Sequence, residues 1–317
     1  MDRSCTQWRV SRMGSKTIRM KTLIFGGSGQ VGTELKNLFQ SDSNVRIVKR
    51  NDADFTKPHL VETLINDVEP THIINAAAYT SVDDAEVEDA LAFQVNAKAV
   101  NVLASCAARY DALFLHYSTD YVFDGLGNRP YQEIDAANPV TVYGQSKLKG
   151  EDFIQMSGCR HLILRTSWVV SATGKNFIKT ILKHAQTKDQ LTVVNDQIGA
   201  VTSAGLISHV TADLIRLDAL TGVDSGIYHL CSSGEASWFD VAVYAISRAA
   251  KKGVSLTCDP NNVIPCGSNE YPMRAERPLN SRLNTGKLEK ILTNPIPHWK
   301  TCVDGTIDEL ITKDLLK

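Results

Sequence analysis

The chain has 317 residues, 43% of them apolar, with 34 basic against 35 acidic side chains and a formal net charge of -1. That is enough apolar material for a sizeable core, divided between two domains or held in one domain with a lobe. The even charge, without a Lys/Arg stripe, excludes an electrostatic footprint for nucleic acid, and no run approaches the ~18 apolar residues that a membrane span needs. Seven cysteines (Cys5, Cys106, Cys159, Cys231, Cys258, Cys266 and Cys302) are odd in number, scattered and never spaced C-x-x-C. This argues against both a disulfide framework and a zinc knuckle, and reduced thiols in the cytoplasm are expected.

Residues 1–19 interleave Arg3, Arg9, Arg12, Lys16 and Arg19 with Ser and Thr and carry no apolar segment of the secretory type. They read as a disordered N-terminal extension. From Met20 the chain alternates strand and helix signals. Thr22 to Phe25 is an apolar run, a Gly-rich turn follows, and Val31, Leu35 and Leu38 recur at helical spacing. Further strands are expected at Val45 to Val48, His72 to Asn75, Leu113 to Tyr117 and Leu162 to Leu164, with a long helical stretch between Ala85 and Arg109. Such alternation implies an α/β fold with a doubly wound parallel sheet of the Rossmann type over 20–170. Beyond it, 171–317 is punctuated by Pro260, Pro265, Pro272, Pro278, Pro295 and Pro297, as in a smaller substrate-binding lobe, with strands from about 191–230 returning to the main sheet.

Gly26-Gly-Ser-Gly29-Gln30-Val31-Gly32 lies directly between the first strand and the first helix. Glycines there permit a tight turn and close approach of backbone to a pyrophosphate, which then faces the helix N-terminus. A fold that selects NAD usually ends its second strand with an acidic residue, whereas Lys49-Arg50 stands here, so Arg50 is expected to favour a 2'-phosphate. NADPH is the expected cofactor, with NADH as the alternative. Asp54 and Phe55 are placed to hydrogen-bond and stack on the adenine, and Asn75-Ala-Ala-Ala78-Tyr79-Thr80 offers small residues where backbone must lie near the cofactor.

Tyr143-Gly-Gln-Ser-Lys147 is the chain's single Tyr-x-x-x-Lys, and on a helix it sets a phenol and an amine on one face. A fixed ammonium stabilises the phenolate and so lowers the phenol's pKa. The preceding strand ends in Ser118-Thr119-Asp120, at the carboxyl edge where open α/β sheets bind ligands, so Ser118 or Thr119 can add a hydroxyl donor for a carbonyl oxygen.

Together with His116-Tyr-Ser-Thr-Asp-Tyr-Val-Phe123, Arg165-Thr-Ser-Trp168, Val194-Asn-Asp-Gln-Ile-Gly199 and Arg277-Pro-Leu-Asn-Ser-Arg-Leu283, these motifs resemble the dTDP-4-dehydrorhamnose reductase family of extended short-chain dehydrogenases, in order from about Met20 to the C-terminus. The resemblance implies reduction of the 4-keto group of dTDP-4-dehydro-β-L-rhamnose to dTDP-L-rhamnose, a step toward cell-surface polysaccharide. It implies Tyr143 as proton donor, Lys147 on the cofactor ribose, Thr119 as the third catalytic hydroxyl, and Thr119, Asp120 and Trp168 as sugar-nucleotide contacts. The implied cofactor contacts are Gly29, Gln30, Val31, Asp54, Phe55, Ala78, Tyr79, Thr80, Tyr143 and Lys147, beside Gly26, Gly32 and Arg50 from the residue reading. Some members dimerise through a magnesium ion held by glutamates. Glu34 and Glu309 stand at matching places, but Gly205 fills a third, so no metal is expected, while a homodimer stays compatible. The same residues leave open an epimerase of the superfamily, or a noncatalytic NADP-binding regulatory subunit of a synthetase.

Overall fold

A computed structural model describes residues 20–271 and 273–316, so the expected extension over 1–19 lies outside the described residues. Six parallel strands build the main sheet: β1 (Thr22–Phe25), β2 (Val45–Val48), β3 (His72–Asn75), β4 (Leu113–Thr119), β5 (His161–Thr166) and β6 (Gly226–His229), in the order β6-β5-β4-β3-β1-β2. From β1 the chain first moves out to β2, then returns to β3 on the other side. The topological switch point therefore falls between β1 and β3, where open α/β sheets bind their ligands.

Alternation along each strand feeds two separate cores. Leu23, Phe25, Ile73, Phe114 and Ile163 pack with Val61, Ile65, Val100, Leu103 and Ile154 of the helices Pro58–Val68, Ala99–Tyr110 and Val142–Met156. Ile24, Ile74, Leu115 and Leu164 face the other way, onto Leu35 of the helix Gln30–Leu38 and Ile207, Leu214 and Ile215 of the helix Ala204–Thr221. Each fully buried aliphatic side chain of this kind contributes roughly 1.5–3 kcal/mol. Both layers thus fix the carboxyl ends of β1, β3 and β4 relative to one another.

The C-terminal part has its own core, where Ile178, Leu182, Val241, Ile246, Val303 and Ile307 meet from the helices Phe177–Ala185, Trp238–Lys251 and Trp299–Thr312. Of the stretch expected to return to the main sheet, Gly226–His229 does so beside β5, whereas Leu191–Val194 pairs in parallel with Val263–Cys266 inside the lobe. The physical reason is burial: Leu191 and Val193 insert into the lobe core, which a place on the main sheet would leave uncovered. No helix among the described residues is long and apolar enough to cross a membrane. The six described cysteines are all free and buried.

Candidate active site

The glycine turn leaves β1 with Gly26 at φ +82°, a conformation that side chains rarely adopt. A Cβ on Gly26 would lie 2.4 Å from the backbone of Ala76 and Ala77, and one on Gly32 would lie 2.0 Å from the Gly26 carbonyl oxygen. The turn therefore closes against the end of β3 only without these side chains, and the Gly29 N–H seals it by donating to Gly26 O at 3.0 Å. Such a bare backbone cradle at a helix N-terminus fits the pyrophosphate of a dinucleotide. Val31 packs partly into the sheet core behind it. Gln30 turns its amide to the lobe, where its Oε1 accepts from Asn176 Nδ2 at 2.9 Å and from Ser171 Oγ at 3.3 Å.

Around the expected adenosine end, Arg50 is exposed and touches Asp54 at 3.9 Å, a contact loose enough to be exchanged for a phosphate. Asp54 Oδ1 accepts from the Thr56 N–H at 2.9 Å, and that bond is the main reason its carboxyl pKa is lowered. Phe55, expected to stack on the adenine, is largely buried, its ring 5.7 Å from that of Phe25. Tyr79 donates its hydroxyl to Glu88 at 2.5 Å, while its backbone N–H and carbonyl are both held by the side chain of Asn96. Asn96 escaped the sequence reading. It sits in a single π-helical turn, Gln94–Lys98, a geometry that often marks functional positions, and it also donates to Ser146 Oγ on the helix of Tyr143. Ala78 and Thr80 lie in the same irregular stretch after β3.

The helix Val142–Met156 starts on Thr141, whose hydroxyl accepts from the Gly144 N–H at 3.1 Å. Tyr143 follows in the first turn, its ring edge-on to Tyr121 at 5.6 Å and its phenol beside the Thr119 hydroxyl. Of the two hydroxyls considered at the end of β4, Thr119 is therefore the one on the tyrosine's side. Strand alternation sends Ser118 to the opposite face. Thr119 also donates to Asp120 Oδ1 at 3.1 Å. Burial pushes the Asp120 carboxyl up to about 6, against the opposing hydrogen bonds of Ser281 and Thr119. Burial likewise raises the Tyr143 phenol, with Thr119 opposing, where the Tyr-Lys spacing alone implied lowering. The difference follows from Lys147: only 2% exposed, it donates from Nζ to the Tyr117 carbonyl at 2.6 Å and meets His116 Nε2 at 3.0 Å. The raised pKa keeps the phenol protonated through the neutral range but makes it a weaker acid, so proton transfer from it depends on stabilisation of the phenolate once the cofactor is bound.

Beside these groups opens a cleft of about 420 Å³ lined by Tyr121, Trp168, Asn176, Gln197, Trp238 and Arg277, among others. Trp168 holds a left-handed backbone at φ +49° and stacks on Trp238 with centroids 3.6 Å apart. Gly199 makes room for it, since a Cβ there would lie 2.7 Å from the Trp168 ring. Strain of roughly 1–3 kcal/mol at a non-glycine left-handed residue persists where neighbours over-determine it, typically at ligand sites. Trp238 carried no local signal and Arg277 only its place in the Arg277 to Leu283 motif: 70 and more residues separate them in sequence from Trp168, and folding alone brings them together. Arg277 bridges the parts, donating to the Tyr121 hydroxyl at 3.2 Å and pairing with Asp83.

At the surface place matched to a family metal, Glu309 bonds Lys313 at 2.5 Å, and Glu34 is raised chiefly by burial and next by Glu309. The Lys313 ammonium thus pairs with Glu309, and no cluster of three or more metal-ligating side chains occurs among the described residues.

A parallel sheet with its switch point at a glycine turn, and a phenol, a hydroxyl and an amine gathered beside that turn, define an oxidoreductase of the extended short-chain dehydrogenase class. Residues 20–312 match the family described as RmlD substrate binding domain. The dTDP-4-dehydrorhamnose reductase of Escherichia coli K12 is 42% identical over 298 residues, 92% of this chain and 99% of the relative, and that of Burkholderia thailandensis is 39% identical over 300, 93% and 100%. Among solved structures, a dTDP-4-dehydrorhamnose reductase from Clostridium acetobutylicum (33% identity, TM-score 0.84) and one from Bacillus anthracis in complex with NADP (30%, TM-score 0.84) each match 92% of this chain and 100% of their own. The chain belongs to the dTDP-4-dehydrorhamnose reductase family.

Proposed function

We propose that this chain reduces the 4-keto group of dTDP-4-dehydro-β-L-rhamnose to dTDP-L-rhamnose, with NADPH preferred and NADH as second cofactor. The observation that carries this reading is the convergence of Thr119, Tyr143 and Lys147 at the carboxyl end of β4, between the glycine turn and the cleft floored by Trp168 and Trp238. In this reading Gly26, Gly29, Gln30, Val31, Gly32, Ala78, Tyr79 and Thr80 surround the dinucleotide, and Arg50 takes the 2'-phosphate. The bound nicotinamide supplies hydride to the carbonyl carbon. Tyr143 gives its proton to the oxygen, and Thr119 donates a hydrogen bond to the same atom as charge builds there. Lys147 steadies the ribose and the phenolate left behind. Trp168 offers its indole to the deoxysugar, and Asp120 orients a sugar hydroxyl. Buried, unpaired thiols support the cytoplasm as the place of action.

With purified protein, the dTDP-linked 4-keto sugar and NADPH, the expected result is loss of one NADPH per sugar converted. Sugar conversion without net loss of NADPH would mark an epimerase, and binding without conversion a regulatory subunit. Cofactor choice is tested separately. In an Arg50→Ala chain the KM for NADPH is expected to rise about tenfold, the loss of one exposed charge-assisted contact, with the KM for NADH unchanged. An unaltered KM for NADPH would remove Arg50 from the site.

A further inference from the structure

Behind Lys147 lies a row of side chains to which the reaction as described gives no work. Asn75 and His116 are register partners on β3 and β4, 1% and 0% exposed, with Asn75 Nδ2 3.0 Å from His116 Nδ1. The Asn75 amide cannot be turned around at no cost, because its Oδ1 accepts from the Ala77 N–H at 3.1 Å, in the stretch that closes on the glycine turn. Its NH2 group therefore faces His116, and Nδ1 must be the accepting nitrogen. A neutral imidazole then carries its one hydrogen on Nε2, directed at Lys147 Nζ 3.0 Å away. An ammonium has no lone pair with which to accept that hydrogen. An amine has one, and keeps two hydrogens, one of which goes to the Tyr117 carbonyl at 2.6 Å.

We propose that Asn75 and His116 are positioning residues that hold Lys147 as the uncharged amine in this arrangement, so that Lys147 takes up a proton from solvent when it turns to the cofactor. The inference rests on the reading of Lys147 as a cofactor ligand. The charged and titratable groups around Lys147 agree with it. Burial pulls its pKa down to about 8, with Glu151 opposing from the same helix, but the Glu151 carboxylate is itself spent on Arg165 of β5. His116 is held well below its usual range by burial and by Lys147. One helical turn before Lys147, burial raises the Tyr143 phenol and keeps it in its neutral form. Glu151 is the one charged group that favours the Lys147 ammonium, and burial outweighs it. The proton balance is simple: reduction consumes one proton per turnover, because the Tyr143 O–H breaks as the alcohol O–H forms and the phenolate must be reprotonated.

Calorimetry of NADPH binding at about pH 8.5, in two buffers of different ionisation heat, counts the protons taken up; the 2'-phosphate, with a pKa near 6, contributes none there. The wild-type chain is expected to take up roughly half a proton or more per NADPH, because a lysine near 8 is mostly uncharged at that pH. An Asn75→Asp chain keeps the shapes but presents an acceptor to His116 Nδ1. It reverses the tautomer, lets Nε2 accept from a Lys147 ammonium, and is expected to bind NADPH with almost no uptake. No uptake by the wild-type chain, or equal uptake by both, overturns the proposal. The wild-type measurement decides alone should the variant not fold. A chain that releases no binding heat with NADPH would instead overturn the cofactor reading, and this inference with it.

Discussion

A Tyr143→Phe chain should still bind NADPH but reduce the 4-keto sugar about 10²–10⁴-fold more slowly, the usual contribution of a positioned proton donor. The substitution removes one oxygen and leaves the ring in its edge-on packing against Tyr121, so cleft and helix start are undisturbed. What is lost is the hydrogen delivered to the developing alkoxide, since Thr119 keeps its own proton and donates only a hydrogen bond. Because burial raises the phenol, the wild-type acid stays protonated throughout the neutral range, and the rate should not fall as pH rises toward 8 through loss of that proton. Steady-state kinetics of both chains give the answer. A wild-type rate from the phenylalanine chain would refute the proton donor and leave water or Asp120 to fill the role.

The parts of this site that were legible in the sequence are those that local chemistry dictates. A glycine turn between strand and helix announces itself because only glycine survives where Gly26 and Gly32 sit, and Tyr143 and Lys147 lie four residues apart on one helix. The residues alone left Ser118 and Thr119 open, and the family resemblance pointed to Thr119, whose hydroxyl lies beside the Tyr143 phenol. Trp238, and the role of Arg277 within its motif, were invisible because their partners, Trp168 and Tyr121, are 70 and 156 residues away and no periodicity encodes such a meeting. The Asn75–His116 pair depends on strand register, which no single strand contains. The burial of Phe55 was equally hard to read, because an aromatic beside a ribose-binding strand end suits both a purine and the core below β1, with which its ring packs. In the lobe, pairings such as Val169–Val170 with Thr202–Ser203 involve two residues each, too few to carry a strand pattern.

The largest effect on stability is expected where the catalytic helix is bolted to the sheet. One turn beyond Lys147, Glu151 accepts from Arg165 at 3.0 Å and 2.6 Å, and the two side chains are 0% and 3% exposed. Two ions out of water cost several kcal/mol each, and their attraction at this distance repays that only while both are present. Replacing Glu151 with Leu leaves the Arg165 guanidinium buried with only the face of Phe123, 5.0 Å away, to solvate it. The expected loss is about 3–5 kcal/mol, seen as a fall in melting temperature of roughly ten degrees. Removing both charges by Glu151→Leu with Arg165→Met should recover most of that loss, because the double change also abolishes the desolvation penalty. The comparison separates two accounts of the pair. If the single variant melts within a degree or two of wild type, water reaches Arg165 and the pair is not buried in effect. If the double variant is as unstable as the single, packing rather than charge holds the helix of Tyr143 and Lys147 against β5.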